Sequence, residues 1–266
     1  VNNNLASTMG EGAVSAINYA WLLMLLPQGV LAQAIGTAAF PTFAEQVAQG
    51  ERDEMRGTLA ATLRTVFFLS IPATVGLLAL GRPLVSILFE RGAFDQSSTM
   101  EVVWALAFFA LGLVGHSGLE IIARAFYALH DTFTPVWVGG LAMALNLALS
   151  LTLPGAFASQ GWMRHGGLAL ANSIATLLET GVLLVLIRRR LRGIEGGRTL
   201  TAFAKSGLAA LTMGVALLGW RMLLADASAL LVGGGGVVLG AAIYLGAAAL
   251  LRVEELRAVM RLVRRR

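Results

Sequence analysis

Three stretches of this chain carry no charged residue: between Glu11 and Glu45, between Asp131 and Arg164, and between Asp226 and Arg252. In a helix, about 20 apolar residues cross a hydrocarbon layer of roughly 30 Å. Each of the three stretches exceeds that length. Of 266 residues, 57% are hydrophobic and only 13% charged, and the mean hydropathy is +0.75. That leaves too little polar surface to cover one soluble domain. The expected fold is an all-α integral membrane protein, a polytopic helical bundle of about seven transmembrane helices.

The apolar runs place seven spans, at about 13–40, 62–89, 101–129, 134–154, 166–188, 202–224 and 228–251. Pro27 lies inside the first, and Pro72 and Pro83 inside the second. A buried proline kinks a membrane helix, and neighbouring helices can satisfy the carbonyl it frees. With seven spans the connections alternate sides. Sixteen of the twenty basic residues then fall on one side, in 41–64, 124–135, 188–205 and 252–266. The other four are Arg82, Arg91, Arg164 and Arg221. The positive-inside rule puts the arginine-rich side, and the C-terminus, in the cytoplasm. A missed or extra span would scramble this asymmetry.

The net charge of +5 belongs to the ends of apolar runs, which points to a membrane surface and to membrane lipids as partners, with no nucleic acid. There is no cysteine, which excludes disulfides, thiolate metal sites and cysteine nucleophiles. The three histidines, His116, His130 and His165, lack metal-ligand spacing. No carboxylate pair, nucleophile elbow or zinc motif of a hydrolase is present, so an enzyme is not expected. The chain opens Val1-Asn2-Asn3-Asn4 without Met, basic leader or cleavage site. It reads as a C-terminal part, with residues 1–7 the tail of an earlier helix.

Ionisable and polar groups inside spans are costly and therefore functional candidates. His116, Glu120 and Arg124 stand at i, i+4 and i+8, on one face of the third span. Two readings are open: a polar stripe facing an aqueous cavity or gate, or an internal salt bridge that lets one helix carry both charges. In the fifth span Asn172, Thr176, Glu179 and Thr180 share a face, and Glu179 has no basic residue within a turn. Asn146 and Ser150 are one turn apart in the fourth span. If these two spans pack together, Asn146, Ser150, Asn172 and Glu179 form an oxygen-rich site for a small cation or a proton; the alternative is interhelical hydrogen bonding alone. The first span carries Ser15, Asn18, Tyr19 and Gln33, a polar seam interrupted by Leu22. Gly236-x-x-x-Gly240 suits close helix packing. Val253, Leu256, Met260 and Val263 share one face of the basic tail, which is either an interfacial helix or a frayed charged end.

Several segments carry a family likeness: Gly10-Glu11-Gly12-Ala13-Val14-Ser15-Ala16-Ile17-Asn18-Tyr19-Ala20, Leu26-Pro27-Gln28-Gly29-Val30, Ile35-Gly36-Thr37-Ala38-Ala39-Phe40-Pro41, Leu88-Phe89-Glu90-Arg91-Gly92-Ala93-Phe94-Asp95, the run from Ala123 to Val136, and His165-Gly166-Gly167-Leu168-Ala169-Leu170-Ala171-Asn172-Ser173. Together, in order and to about residue 190, they resemble the MurJ/MviN family of lipid II flippases in the multidrug/oligosaccharidyl-lipid/polysaccharide exporter superfamily. The last two spans match in position and character only.

The resemblance implies a fourteen-helix protein of two six-helix lobes around a central cavity, plus two extra helices. Residues 1–190 would be most of the second lobe, with five spans that map to helices eight to twelve. Residues 191–251 would be the two additional helices, bordering a lipid-facing groove, and 252–266 a basic amphipathic cytoplasmic tail. It implies a bacterial inner-membrane flippase that moves an undecaprenyl-linked peptidoglycan precursor, lipid II, outward by alternating access. Its partner would be the missing N-terminal lobe. No cofactor is implied, and coupling to sodium, protons or membrane potential is open. The cavity and gate would draw on Ser15, Asn18, Tyr19, Gln33, His116, Glu120 and Arg124. Two departures stand out. The family typically carries an arginine three residues past the tyrosine, where this chain has Leu22, and Glu120 stands where relatives often carry lysine. Export of another polyprenyl-linked saccharide, or a non-transporting membrane scaffold, therefore remain alternatives.

Overall fold

A computed structural model of the chain describes residues 2–10, 12–92 and 94–256. Among the described residues there is no strand. The helices are α1 (Asn2–Ala6), α2 (Ala13–Pro27), α3 (Ala34–Ala48), α4 (Arg52–Phe89), α5 (Gln96–Ala128), α6 (Phe133–Ser159), α7 (His165–Arg190), α8 (Gly196–Leu223) and α9 (Ala229–Leu250), and a π-helical turn over Gln28–Gln33 joins α2 to α3. Taken as one rod, α2 to α3 is the first of seven helices long and apolar enough to cross a membrane. The chain is an all-α polytopic membrane bundle. Of the basic tail expected over 252–266, residues 257–266 lie outside the described residues.

Two helices run well past the expected span ends. The first continues through Pro41 to Ala48, and the second begins at Arg52 instead of about 62. Charge marks where a helix leaves the apolar layer; it does not end the helix. The stop between them is Gly50, at φ +77. There the Glu51 N–H reaches Gln46 O at 2.8 Å, the six-to-one closure of a left-handed C-terminal cap that glycine adopts without a Cβ penalty.

The alternation of ends appears directly in the ion pairs. Arg64 of α4 meets Glu195 of the α7–α8 link at 2.9 Å and Glu255 after α9 at 3.1 Å. Arg190, at the end of α7, pairs with Asp131 of the α5–α6 link. These segments form the arginine-rich end. At the opposite end His165, which starts α7, hydrogen-bonds Glu101 O on the first turns of α5.

α5 lies at the centre, packed against α2, α4 and α7. Gly112, Gly115 and Gly118 put a small residue on every turn of its α7-facing side. An added Cβ would stand 2.6 Å from Ser173 Oγ, 3.0 Å from Leu177 Cδ2 and 3.1 Å from Thr180 Cγ2, respectively. Close approach lets Ser173 Oγ donate to Phe108 O at 2.7 Å and Thr180 Oγ1 to Gly115 O at 2.9 Å. Lipid tails are as apolar as leucine, so such packing and hydrogen bonding hold membrane helices together.

Helix α4 shows how its prolines are accommodated. Pro72 and Pro83 have no N–H to return to Phe68 O and Ala79 O. Tyr244 of α9 donates to Phe68 O at 2.6 Å, and Arg221 of α8 donates to Ala79 O at 2.7 Å. The α8–α9 pair is thus hydrogen-bonded to α4 at the carbonyls that the prolines free. α9 also approaches α4 closely through Gly233 and Gly236, whose added Cβ atoms would stand 2.7 Å from Ile87 and 2.8 Å from Leu80. The small-residue pattern at 236 and 240 does serve packing, with Gly240 set against Leu217 of α8.

Candidate functional site

Ser15, Asn18, Tyr19 and Gln33 are all exposed on the outer face of the α2–α3 rod, with Leu22 among them at 49% exposure. Tyr19 packs its ring on Phe89 and Phe94, centroids 4.7 and 5.5 Å away, which ties α2 to the α4–α5 link. Pro27 cannot donate into the α-helical ladder, and the wider π turn follows it directly. That turn shifts the phase of everything after it, so the seam continues through Gln33 to Thr37. Sequence spacing alone does not locate Thr37, because the spacing assumes an unbroken α-helix.

Thr37 brings the seam to α5. Arg124 Nη2 reaches Thr37 Oγ1 at 3.4 Å. Its Nη1 donates to Glu120 O at 2.8 Å and forms the ion pair with the Glu120 carboxylate. Both side chains are about a quarter exposed, at 22% and 26%. Gly36 makes this possible, since a Cβ there would stand 2.9 Å from Arg124 Nη1. The internal salt bridge and the exposed polar stripe are therefore the same feature: a neutralised pair at the rim of the polar face. Two polar atoms buried nearby, Gln28 Oε1 in the π turn and Ser117 Oγ in α5, have no hydrogen-bond partner among the described residues.

His116, one turn from Glu120, points elsewhere. Its Nε2 lies 3.1 Å from Asn172 Oδ1 on α7, a contact in which the ring N–H donates. Its ring also meets Trp21 of α2 edge-on at 5.4 Å. His116 thus links α2, through α5, to the second polar cluster.

That cluster lies between α6 and α7, in a cavity of about 600 Å³ lined by Asn146, Asn172, Thr176 and Glu179 with Gly139 and Gly140 at its wall. A Cβ at Gly139 would stand 3.2 Å from Glu179 Oε1. Glu179 has no hydrogen bond or ion pair among the described residues. Ser150 is buried beside the cavity and directs its hydroxyl to Asn146 Oδ1 at 3.4 Å. Thr180 turns away to α5, as described above. The arrangement brings Asn146, Asn172 and Glu179 to the wall of one cavity, with Thr176 in place of Thr180. No group of three or more acidic or histidine side chains with metal-site geometry occurs among the described residues.

A second cavity, of about 620 Å³, is almost wholly apolar. It lies among α2, α4, α8 and α9, with Leu26, Leu80, Leu84, Leu217 and Leu245 on its walls.

Comparison with known proteins shows what the chain is similar to. The family model described as lipid II flippase MurJ matches residues 1–231. The likeness thus continues past residue 190 through α8 and into α9, where the segments that carry the resemblance have ended. The lipid II flippase MurJ of Burkholderia cenocepacia is 34% identical over 191 residues, covering 71% of this chain and 36% of the relative. The probable lipid II flippase MurJ of Rhizobium meliloti is 36% identical over 161 residues, covering 60% of this chain and 30% of the relative. A lipid II flippase MurJ solved in an inward closed conformation superposes with a TM-score of 0.79 at 24% identity, covering 94% of this chain and 50% of its own; it shows a shared fold. The chain spans about a third of the length of the two curated relatives.

Proposed function

The chain belongs to the lipid II flippase MurJ family, and from that membership we propose that it forms one lobe of a flippase for lipid II, the undecaprenyl-linked precursor of peptidoglycan. The partner across the cavity is a second lobe of the same protein. The observation that carries this reading is the exposed polar face of the α2–α3 rod, with Ser15, Asn18, Gln33 and Thr37 on a membrane-crossing helix. Such a face is unstable against lipid and suits a water-filled path. A saccharide pyrophosphate cannot cross hydrocarbon unaided, and a polar path lowers that barrier while the polyprenyl tail stays in an apolar environment. The apolar cavity among α2, α4, α8 and α9 suits that tail. Rocking of the two lobes would expose the path to each side in turn.

The bacterial inner membrane is the compartment, with the arginine-rich end and the C-terminus cytoplasmic. The cavity holding Glu179, Asn146 and Asn172 is the candidate coupling site for sodium or a proton. His116 is its connection to α2 and the cavity face. Membrane potential acting on charged groups is the remaining way to drive the cycle.

Leu22 and the Arg124–Glu120 pair favour one further point. This lobe offers little free positive charge to a pyrophosphate, so the headgroup's cationic partners lie in the other lobe.

The test uses the complete protein in cells depleted of their own flippase, and reads how much lipid II an external probe reaches. Restored exposure is expected, and it should lose its dependence on sodium and pH in Glu179→Gln. No exposure, with the protein present in the membrane and Leu22→Arg equally silent, would contradict lipid II as substrate and favour another lipid-linked saccharide or a scaffold. Sodium and pH responses that are the same in Glu179→Gln as in the parent would remove the coupling site.

A further inference from the structure

At the arginine-poor end, α4 and the α8–α9 hairpin frame a cavity of about 590 Å³ that the transport reading does not use. Arg82, Arg221, Glu90 and Gln96 line it, and Leu218 and Met222 form its apolar edge. The Arg221 guanidinium is fixed by its bond to Ala79 O, the carbonyl that Pro83 frees, and its other N–H groups remain for a ligand. Arg82 is exposed and makes no hydrogen bond or ion pair among the described residues. Glu90 accepts from Thr99 Oγ1 at 3.1 Å and forms no ion pair with either arginine among the described residues. Two cations against one carboxylate leave the cavity net positive.

Depth makes the charge informative. Arg82 lies seven residues before Phe89, the last residue of α4, or about 10 Å along the helix. A cation at that depth calls for an anion or for water. The apolar edge continues down α8 as Leu211, Val215, Leu218 and Met222, which are 63%, 72%, 48% and 79% exposed. Their spacing of four, three and four puts them on one stripe. Charge at the top and a bare hydrocarbon-facing stripe below match an amphipathic anion, not a free one.

We propose that this cavity binds the phosphate of an anionic phospholipid from the leaflet at the arginine-poor end, with an acyl chain lying along the α8 stripe. Arginine suits the phosphodiester because its planar fork can donate two parallel hydrogen bonds. Its lining shares no residue with the apolar cavity assigned to the polyprenyl tail, and it does not depend on the identity of the flipped lipid.

The experiment equilibrates the complete purified protein with detergent-solubilised phosphatidylglycerol and phosphatidylcholine, free of any polyprenyl lipid. Retained lipid is counted by mass spectrometry of the intact complex. Phosphatidylglycerol should be retained selectively, and Arg82→Gln should weaken retention about tenfold, the loss of one charge-assisted contact. Arg164→Gln, an exposed arginine at the same end but outside the cavity, should leave retention unchanged. Equal losses in both variants would overturn the site in favour of diffuse surface charge. Displacement of the lipid by excess inorganic phosphate would overturn the lipid assignment in favour of a simple anion site. Retention that needs an added polyprenyl pyrophosphate would do the same in favour of the transported lipid.

Discussion

Pro72 withholds an N–H from Phe68 O, and Tyr244 supplies the donor from α9. Leaving that carbonyl unpaired inside the bundle costs about 1–3 kcal/mol, so Tyr244→Phe should lower the unfolding midpoint of the protein in detergent. In a Pro72→Ala background the amide of residue 72 can serve the same carbonyl, and the cost of Tyr244→Phe should shrink. Equal costs in the two backgrounds would contradict the account, since coupled neighbours are not additive. The prolines were plain in the sequence, and so was the expectation that neighbours serve their carbonyls. Which neighbours do so was not: Tyr244 lies far from Phe68 in the chain, and no spacing rule connects them. Asp131 carries a second prediction. Its carboxylate accepts from the Thr134 N–H at 3.0 Å and the Thr134 hydroxyl at 2.8 Å, and pairs with Arg190. The backbone N–H of Thr134, ahead of the other contacts, holds the carboxyl below its ordinary value of 3.8. A depressed folded pKa gives stability that is present above the unfolded value and lost as pH falls through the folded one. Asp131→Asn should therefore be destabilising at neutral pH. The gap from the parent should narrow below 3.8 and close at lower pH, as read by thermal unfolding across pH. A gap that stays constant would show that Asp131 acts by shape alone.

At the scale of helices, hydropathy marked the seven crossings and misplaced their ends. It measures where a chain meets lipid, and α3 and α4 continue as helix beyond that boundary to Gly50 and from Arg52. It was also blind to the π turn, whose residues are as apolar as those around it. The glycines of α5 were visible but mute. The approach of α7, joined at Gly118 by Phe67 of α4, explains why Gly112, Gly115 and Gly118 recur every three residues, and it draws Thr180 away from the face it was expected to share with Glu179. α6 is the least buried of the seven spans and packs almost entirely on α7. Gly167 lets the two backbones meet, since an added Cβ would stand 2.8 Å from the Leu153 carbonyl carbon and Pro154 N. Backbone cannot swing aside as a side chain can. Gly167→Ala should destabilise the protein by about 1–3 kcal/mol, read as a lowered unfolding midpoint, and should loosen the wall that carries Asn146. An unchanged midpoint would contradict so close a contact.

For the whole molecule, the arginine asymmetry read from the sequence corresponds to a physical end of the bundle. There Arg64, with a side chain only 10% exposed, holds α4, the α7–α8 link and the segment after α9 together through Glu195 and Glu255. The α8–α9 pair is therefore fastened to α4 twice, by charge at this end and by proline-freed carbonyls within the span. The rest of the candidate site was half legible. Each polar residue was picked out by its cost in lipid, yet the contact of His116 with Asn172 on α7 joins two groups that the sequence placed in separate clusters. In the proposed function the face bearing Asn18 and Thr37 lines the path of the lipid headgroup. This chain contains no cysteine, so a single thiol can be placed anywhere in it without background from these residues. The most direct measurement introduces Asn18→Cys, Thr37→Cys or Val215→Cys into the complete protein, with any other cysteine removed, and follows labelling by a charged, water-soluble maleimide with and without lipid II. Positions 18 and 37 should label and lipid II should suppress that labelling, while position 215 on the exposed apolar stripe of α8 should not label. Positions 18 and 37 that resist the reagent as position 215 does, or that react equally with and without lipid II, would contradict that path.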